Sequence, residues 1–196
     1  MHSRHRYHGR DVYGTRSRRY NETHRLGSIG LQQYSFMRLY RIVGHPFSID
    51  KKFTIYENGN EQYLVRGGRL FGGINGMILE DRFGNALINI QKESGLHWHP
   101  IYQLLSNDGR ELANIRKSSS ALSFEINTVY GPYSTTVMSQ SLKYFSIRNA
   151  HFQNIASWKQ NGVEVAANQD QPFLLALIVV IHHLIPPPPT SHYVGR

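Results

Sequence analysis

The sequence predicts a mainly β fold: a closed antiparallel barrel of about ten to twelve strands around one hydrophobic C-terminal helix. Three observations predict it. There is a single long uninterrupted apolar run, Phe173, Leu174, Leu175, Ala176, Leu177, Ile178, Val179, Val180 and Ile181. Upstream of it, short apolar runs alternate with polar residues at a period of two, the signature of strands with one buried face. Those runs are cut by turn signals at regular spacing. Asn58-Gly59-Asn60, Gly84-Asn85 and Asp108-Gly109 place their glycines 25 residues apart twice over, as hairpin tips of a meander would.

Taken in order, residues 1–30 are a basic arm. They carry Arg4, Arg6, Arg10, Arg16, Arg18, Arg19 and Arg25 against Asp11 and Glu22, more than half of the formal net charge of +9. Glycines, serines and four histidines leave the arm too little apolar surface to offset the entropy of ordering, so it is expected to be disordered. Tyr7, Tyr13 and Tyr20 are interleaved with the arginines, a pattern suited to phosphate attachment with stacking or interfacial insertion.

Residues 31–185 form the predicted barrel. Phe53 and Ile55 alternate with Thr54 and Tyr56; Ala86, Ile88 and Ile90 with Asn89 and Gln91; Leu122, Phe124 and Ile126 with Ser123, Glu125 and Asn127. Asn161-Gly162 marks a further tip, and Gly131-Pro132 another break. The helix spans residues 170–185. Asp170 is a suitable N-cap, Pro172 is tolerated in a first turn, and Pro186, Pro187, Pro188 and Pro189 forbid continuation. Crossing a membrane takes about 20 apolar residues, and His182 and His183 interrupt this run too early. A helix apolar on every side must be enclosed by protein. At 1.5 Å per residue it is about 24 Å long, and a seven-residue strand covers about 23 Å, so plug and wall match. Residues 186–196 are a Pro-rich tail, read as a helix stop and linker.

The chain has no cysteine, which excludes disulfides, thiolate metal sites and a cysteine nucleophile, and favours an intracellular address. No secretory signal is visible at the start. The basic balance favours anionic partners: nucleic acid, an acidic membrane surface or an acidic protein.

Pro46-Phe47-Ser48-Ile49-Asp50-Lys51-Lys52-Phe53-Thr54-Ile55-Tyr56-Glu57-Asn58-Gly59-Asn60, followed by Tyr63-Leu64-Val65-Arg66-Gly67-Gly68-Arg69-Leu70-Phe71, resembles the opening of the LURP-one-related family. Glu111-Leu112-Ala113-Asn114-Ile115-Arg116-Lys117-Ser118-Ser119 resembles its basic strand end, and residues 170–185 its closing helix. The resemblance implies the fold shared with tubby C-terminal domains and phospholipid scramblases, a twelve-stranded barrel around a central helix. It also implies non-enzymatic binding of phosphoinositide headgroups on a basic barrel face, with Lys51, Lys52, Arg66, Arg69, Arg116 and Lys117 as candidate lipid-binding residues. Relatives carry an acidic residue just after the apolar run, whereas this chain has His182 and His183. It also lacks an acidic calcium-binding cluster near the helix, which argues against calcium-driven scrambling.

Catalytic and metal chemistry find little support. His97 and His99 share a face around Trp98 but lack a third ligand. Glu80 and Asp81 precede a turn and read as turn residues rather than an acid–base pair. His182 and His183, as imidazolium at the helix C-terminus, would suit its dipole and cap the barrel mouth. Gly67-Gly68 and Gly72-Gly73 suit strand bends or bulges, not a phosphate loop. Three functions are weighed: a cytoplasmic adaptor, peripheral at anionic membranes; a scramblase-like lipid protein; and a nucleic-acid-binding, hence nuclear, or protein-interaction module. No cofactor, no metal, no enzymatic activity and no membrane span are expected.

Overall fold

The computed structural model describes residues 36–45, 51–69, 75–93, 100–118, 122–160 and 162–185. The arm at 1–30, His97, His99, the Gly72-Gly73 pair and the prolines at 186–189 lie outside them.

Twelve strands form one closed antiparallel barrel, each paired with its neighbours in chain order and the last with the first. They are β1 (Met37–Gly44), β2 (Lys51–Glu57), β3 (Asn60–Arg69), β4 (Asn75–Asp81), β5 (Ala86–Lys92), β6 (Ile101–Ser106), β7 (Glu111–Lys117), β8 (Phe124–Thr128), β9 (Gly131–Ser139), β10 (Tyr144–Arg148), β11 (Asn154–Lys159) and β12 (Gly162–Ala166). Alternation decides which residues face inward: Ile88 and Ile90 on β5, Tyr102 and Leu104 on β6, Phe124 and Ile126 on β8, Phe145 and Ile147 on β10 are all buried. The glycines of the three evenly spaced tips have φ of +80°, +85° and +84°, the left-handed conformation these turns demand. Gly131 and Pro132 do not break the sheet as expected; they open β9, Pro132 opposite Asn127, and the chain reverses one step earlier at Val129 and Tyr130.

The helix, α1, is Gln171–Leu184, inside the predicted 170–185. Asp170 Oδ1 accepts the Phe173 N–H at 3.0 Å, and Ile185 N–H donates to the Ile181 carbonyl, closing the last turn. Phe173 through Ile181 are each no more than 2% exposed, so the wall surrounds every face. Full burial of each such side chain favours folding by about 1.5–3 kcal/mol, which makes this helix the centre of the core. A buried polar clamp seats its start. Gln171 Nε2 donates to the Ala166 and Gln169 carbonyls at 2.7 and 2.8 Å, and its Oε1 accepts the Tyr40 hydroxyl at 3.1 Å.

Closure between β1 and β12 needs a glycine. At Gly162 φ is +128°, and a Cβ there would lie 2.5 Å from the Tyr40 carbonyl oxygen. Within β3, Gly67 keeps a straight register with β4 and leaves room for the Lys52 side chain passing over it, while the register shift falls on the β2 side between Lys51 and Phe53.

Candidate functional site

Because neighbouring strands are antiparallel, the ends of odd strands and the starts of even strands share one end of the barrel. The helix enters at the opposite end, after β12, so its C-terminus emerges among those strand ends. All six lysines of the chain stand there. Lys51 and Lys52 open β2, Lys92 closes β5, Lys117 closes β7, Lys143 precedes β10 and Lys159 closes β11. With strands about 4.8 Å apart, they punctuate the rim at intervals of one to three strands. Described carboxylates favour the other end, where Glu57, Glu61, Asp81, Asp108, Glu111 and Asp170 lie.

The candidate residues therefore divide. Lys51, Lys52 and Arg69 fall at the lysine end on adjacent strands, and Lys117 joins them four strands round from β3. Arg66 stands opposite Lys51 and Arg116 one residue before Lys117, and both are matched by carboxylates: Arg66 Nε to Glu80 at 2.8 Å, Arg116 Nη2 to Glu125 at 2.5 Å. Arg116 and Glu125 also line an open cleft of about 450 Å³ on the outer wall with Ile101, Glu111, Asn114 and Asn127. Lys159 is matched by Glu164 at 2.6 Å. Among the described residues, Lys52, Lys92, Lys117 and Lys143 have no carboxylate partner; Lys143 is engaged by the helix end, and the charge of the other three is available to a ligand.

The sequence reading missed Lys92, Lys143 and Lys159, which look isolated along the chain. Lys117 continues the inward phase of Ile115, and Lys92 that of Ile90, so both lean toward the mouth rather than away from it. Lys143 reaches over the helix end, its Nζ donating to the His182 carbonyl at 3.2 Å. A lysine, not imidazolium, thus caps the last turn. His182 stacks flat on Trp158, ring centroids 4.0 Å apart and 13° between planes, and burial together with Lys143 and His183 lowers its pKa to about 4. His183 meets the edge of Tyr102 at 6.1 Å, and burial with Lys143 and Lys92 lowers its pKa as well. Both histidines are neutral at physiological pH, and the mouth's positive charge comes from lysine ammonium groups. Each presents three donors and no acceptor, which suits phosphate or carboxylate.

Among the described residues, no group of three His, Cys, Asp or Glu side chains is placed to hold a metal, and no helix is long and apolar enough to cross a membrane.

The family model described as LURP-one-related matches residues 39–182. The chain belongs to the LURP-one-related family. No curated protein matches it. An X-ray structure of a protein from Arabidopsis thaliana is similar, with a TM-score of 0.58 and 15% identity, covering 76% of this chain and 92% of that one. At that identity the likeness speaks for the fold, and it agrees with the barrel and helix described above. In this LURP-one-related chain the matched region ends at His182, at the lysine-rimmed mouth.

Proposed function

We propose that this LURP-one-related barrel works by binding rather than turnover, as a cytoplasmic adaptor that attaches to anionic membrane headgroups, phosphoinositides or acidic phospholipids, through its lysine end. The observation that carries the reading is the placement of every lysine at the end where the helix emerges, with most described barrel carboxylates at the other. A dipolar charge distribution of this kind steers and orients a protein at a charged surface. The seven arginines within residues 1–30 add to the attraction. Each cation near an acidic surface contributes about 1 kcal/mol, so the contact is weak per residue, additive and sensitive to salt.

The test reverses together the three described lysines that neither a carboxylate nor the helix end engages. Lys52→Glu, Lys92→Glu and Lys117→Glu should weaken co-sedimentation with phosphatidylinositol bisphosphate vesicles by roughly a hundredfold or more at low salt. Arg66→Gln with Arg116→Gln, which removes wall charges already matched by glutamates, should change it little. Equal losses in both variants would mean that net charge alone drives binding and that the mouth is not the site.

A further inference from the structure

The barrel end opposite the lysines carries a second chemistry. Among the described residues nine large apolar side chains are strongly exposed, and six of them, Phe36, Met37, Phe83, Val129, Tyr130 and Phe152, lie at this end. Scattered exposed apolar residues are ordinary; gathering at one end is not. Phe83, Tyr130 and Phe152 occupy three different hairpin tips, 75%, 55% and 78% exposed. The Tyr130 ring leans back edge-on to Phe173, centroids 5.4 Å apart, and its hydroxyl donates to Asp170 Oδ2 at 3.4 Å, so the free rings are those of Phe83 and Phe152.

Each tip is locked in place. Asp81 Oδ1 accepts the N–H groups of Phe83 and Asn85 at 2.8 and 2.9 Å, and Asp81 Oδ2 accepts Asn85 Nδ2 at 2.8 Å. Thr128 Oγ1 accepts the Tyr130 N–H at 3.0 Å and donates to the Gly131 carbonyl at 2.8 Å. Asn149 Oδ1 accepts from the N–H groups of His151 and Gln153, both at 3.0 Å, and holds Phe152 at a φ of +59°. A bulky side chain is disfavoured in that region unless its surroundings enforce it. The ring is thereby displayed outward instead of folding onto the wall.

We propose that this end is an interfacial lipid anchor, whose aromatic tips insert into the headgroup region of a bilayer; the inference is independent of the lysine-end reading. Two of the tips also carry arginine. Arg82 lies 4.6 Å over the Phe83 ring, which joins an apolar face and a phosphate-binding guanidinium in one tip, and Arg110 stands on the next. The carboxylates behind them stay charged: hydrogen bonds within their own turns lower the pKa of Asp81 and Asp108, and among the described carboxylates of this end only Glu57 pairs with a cation, Arg38 at 3.7 Å, so the end suits a zwitterionic surface rather than an anionic one. Glu61 alone among them has no described partner. Polar turns at Asn58-Gly59 and at residues 107–109 flank the Phe83 tip, and the Phe152 tip lies six strands round the barrel from it. The result is a set of separate apolar points around a rim rather than one continuous patch, and a fluid interface accommodates such points where a folded partner would leave gaps. Aromatic side chains line the interfacial belts of membrane proteins, and phenylalanine the buried face of interfacial helices.

The probe is a vesicle of phosphatidylcholine alone, in about 1 M salt, where a Debye length near 3 Å silences the lysine end. The full chain should co-sediment. Phe83→Ser with Phe152→Ser should lower binding at least about tenfold with the melting temperature nearly unchanged, because both rings are exposed. The triple lysine reversal should not alter it. In a Phe83→Trp variant, the fluorescence of the added indole should be quenched by brominated lipid. Absence of binding to neutral vesicles, wild-type binding by the double serine variant, or added indole fluorescence untouched by brominated lipid overturns the proposal. So does concentration-dependent self-association that the serine variant abolishes while vesicles are ignored, since the tips would then serve a second copy of the chain.

Discussion

Gln171 is a polar residue at the start of an apolar helix, and only 8% of it is exposed. Its amide joins three segments, accepting from Tyr40 on β1 and donating to the carbonyls of Ala166, which closes β12, and of Gln169 in the turn that follows. Replacement by leucine keeps the volume and strands a buried hydroxyl and carbonyls. Gln171→Leu should cost about 2–4 kcal/mol in urea unfolding, and Tyr40→Phe in that background should cost much less than alone. Additive losses would show that the two side chains do not interact. The neighbouring Asp170 cap and Pro172 were readable locally, because capping depends on residues three apart. The role of Gln171 was not, since its partner lies 131 residues away.

The helix as an element was legible almost to the residue, because an N-cap, an apolar run and a proline stop are all local signals. Its C-terminal chemistry was not. The imidazolium expectation failed because Lys143, brought there by the β9–β10 turn, caps the His182 carbonyl, and stacking on Trp158 buries a ring that must then stay neutral. The unfolded chain takes up a proton at the ordinary value of 6.5, the folded chain only at about 4. His182 therefore contributes its full stabilisation above the unfolded value; the contribution falls as pH drops through this window and is gone below the folded value. The loss should be on the order of 2 kcal/mol after allowance for partial exposure. His182→Phe should keep the stack and flatten that part of the pH–stability profile, with His183 leaving a residual slope in the same direction. An unchanged slope in chemical denaturation at pH 7 and pH 4.5 would contradict this. Gly162→Ala, against the Tyr40 carbonyl at the closing seam, should lower stability by about 1–3 kcal/mol in the same assay.

Enclosure of the helix by the closed wall is what sustains the stability of the barrel. Leu177 is fully buried within the barrel, so Leu177→Asp should abolish soluble folding, a cost of several kcal/mol against a stability of about 5–15 kcal/mol. A soluble variant with wild-type melting would contradict the enclosed helix. The barrel was readable from alternation and from glycines 25 residues apart, because each period spans two strands and returns the chain to the same end. The lysine mouth was not readable in full. Membership in it depends on strand parity and closure, and Lys92 and Lys143 resemble ordinary surface charges until both are known.

The most direct test of attachment to anionic headgroups is sedimentation of the full chain with phosphatidylinositol bisphosphate vesicles across a salt series, run beside an RNA mobility shift. Vesicle binding at low salt that fades as salt rises, and that drops steeply when residues 1–30 are removed, is the predicted result. A chain that shifts RNA while ignoring those vesicles at low salt would contradict the account and make the lysine end a nucleic-acid surface.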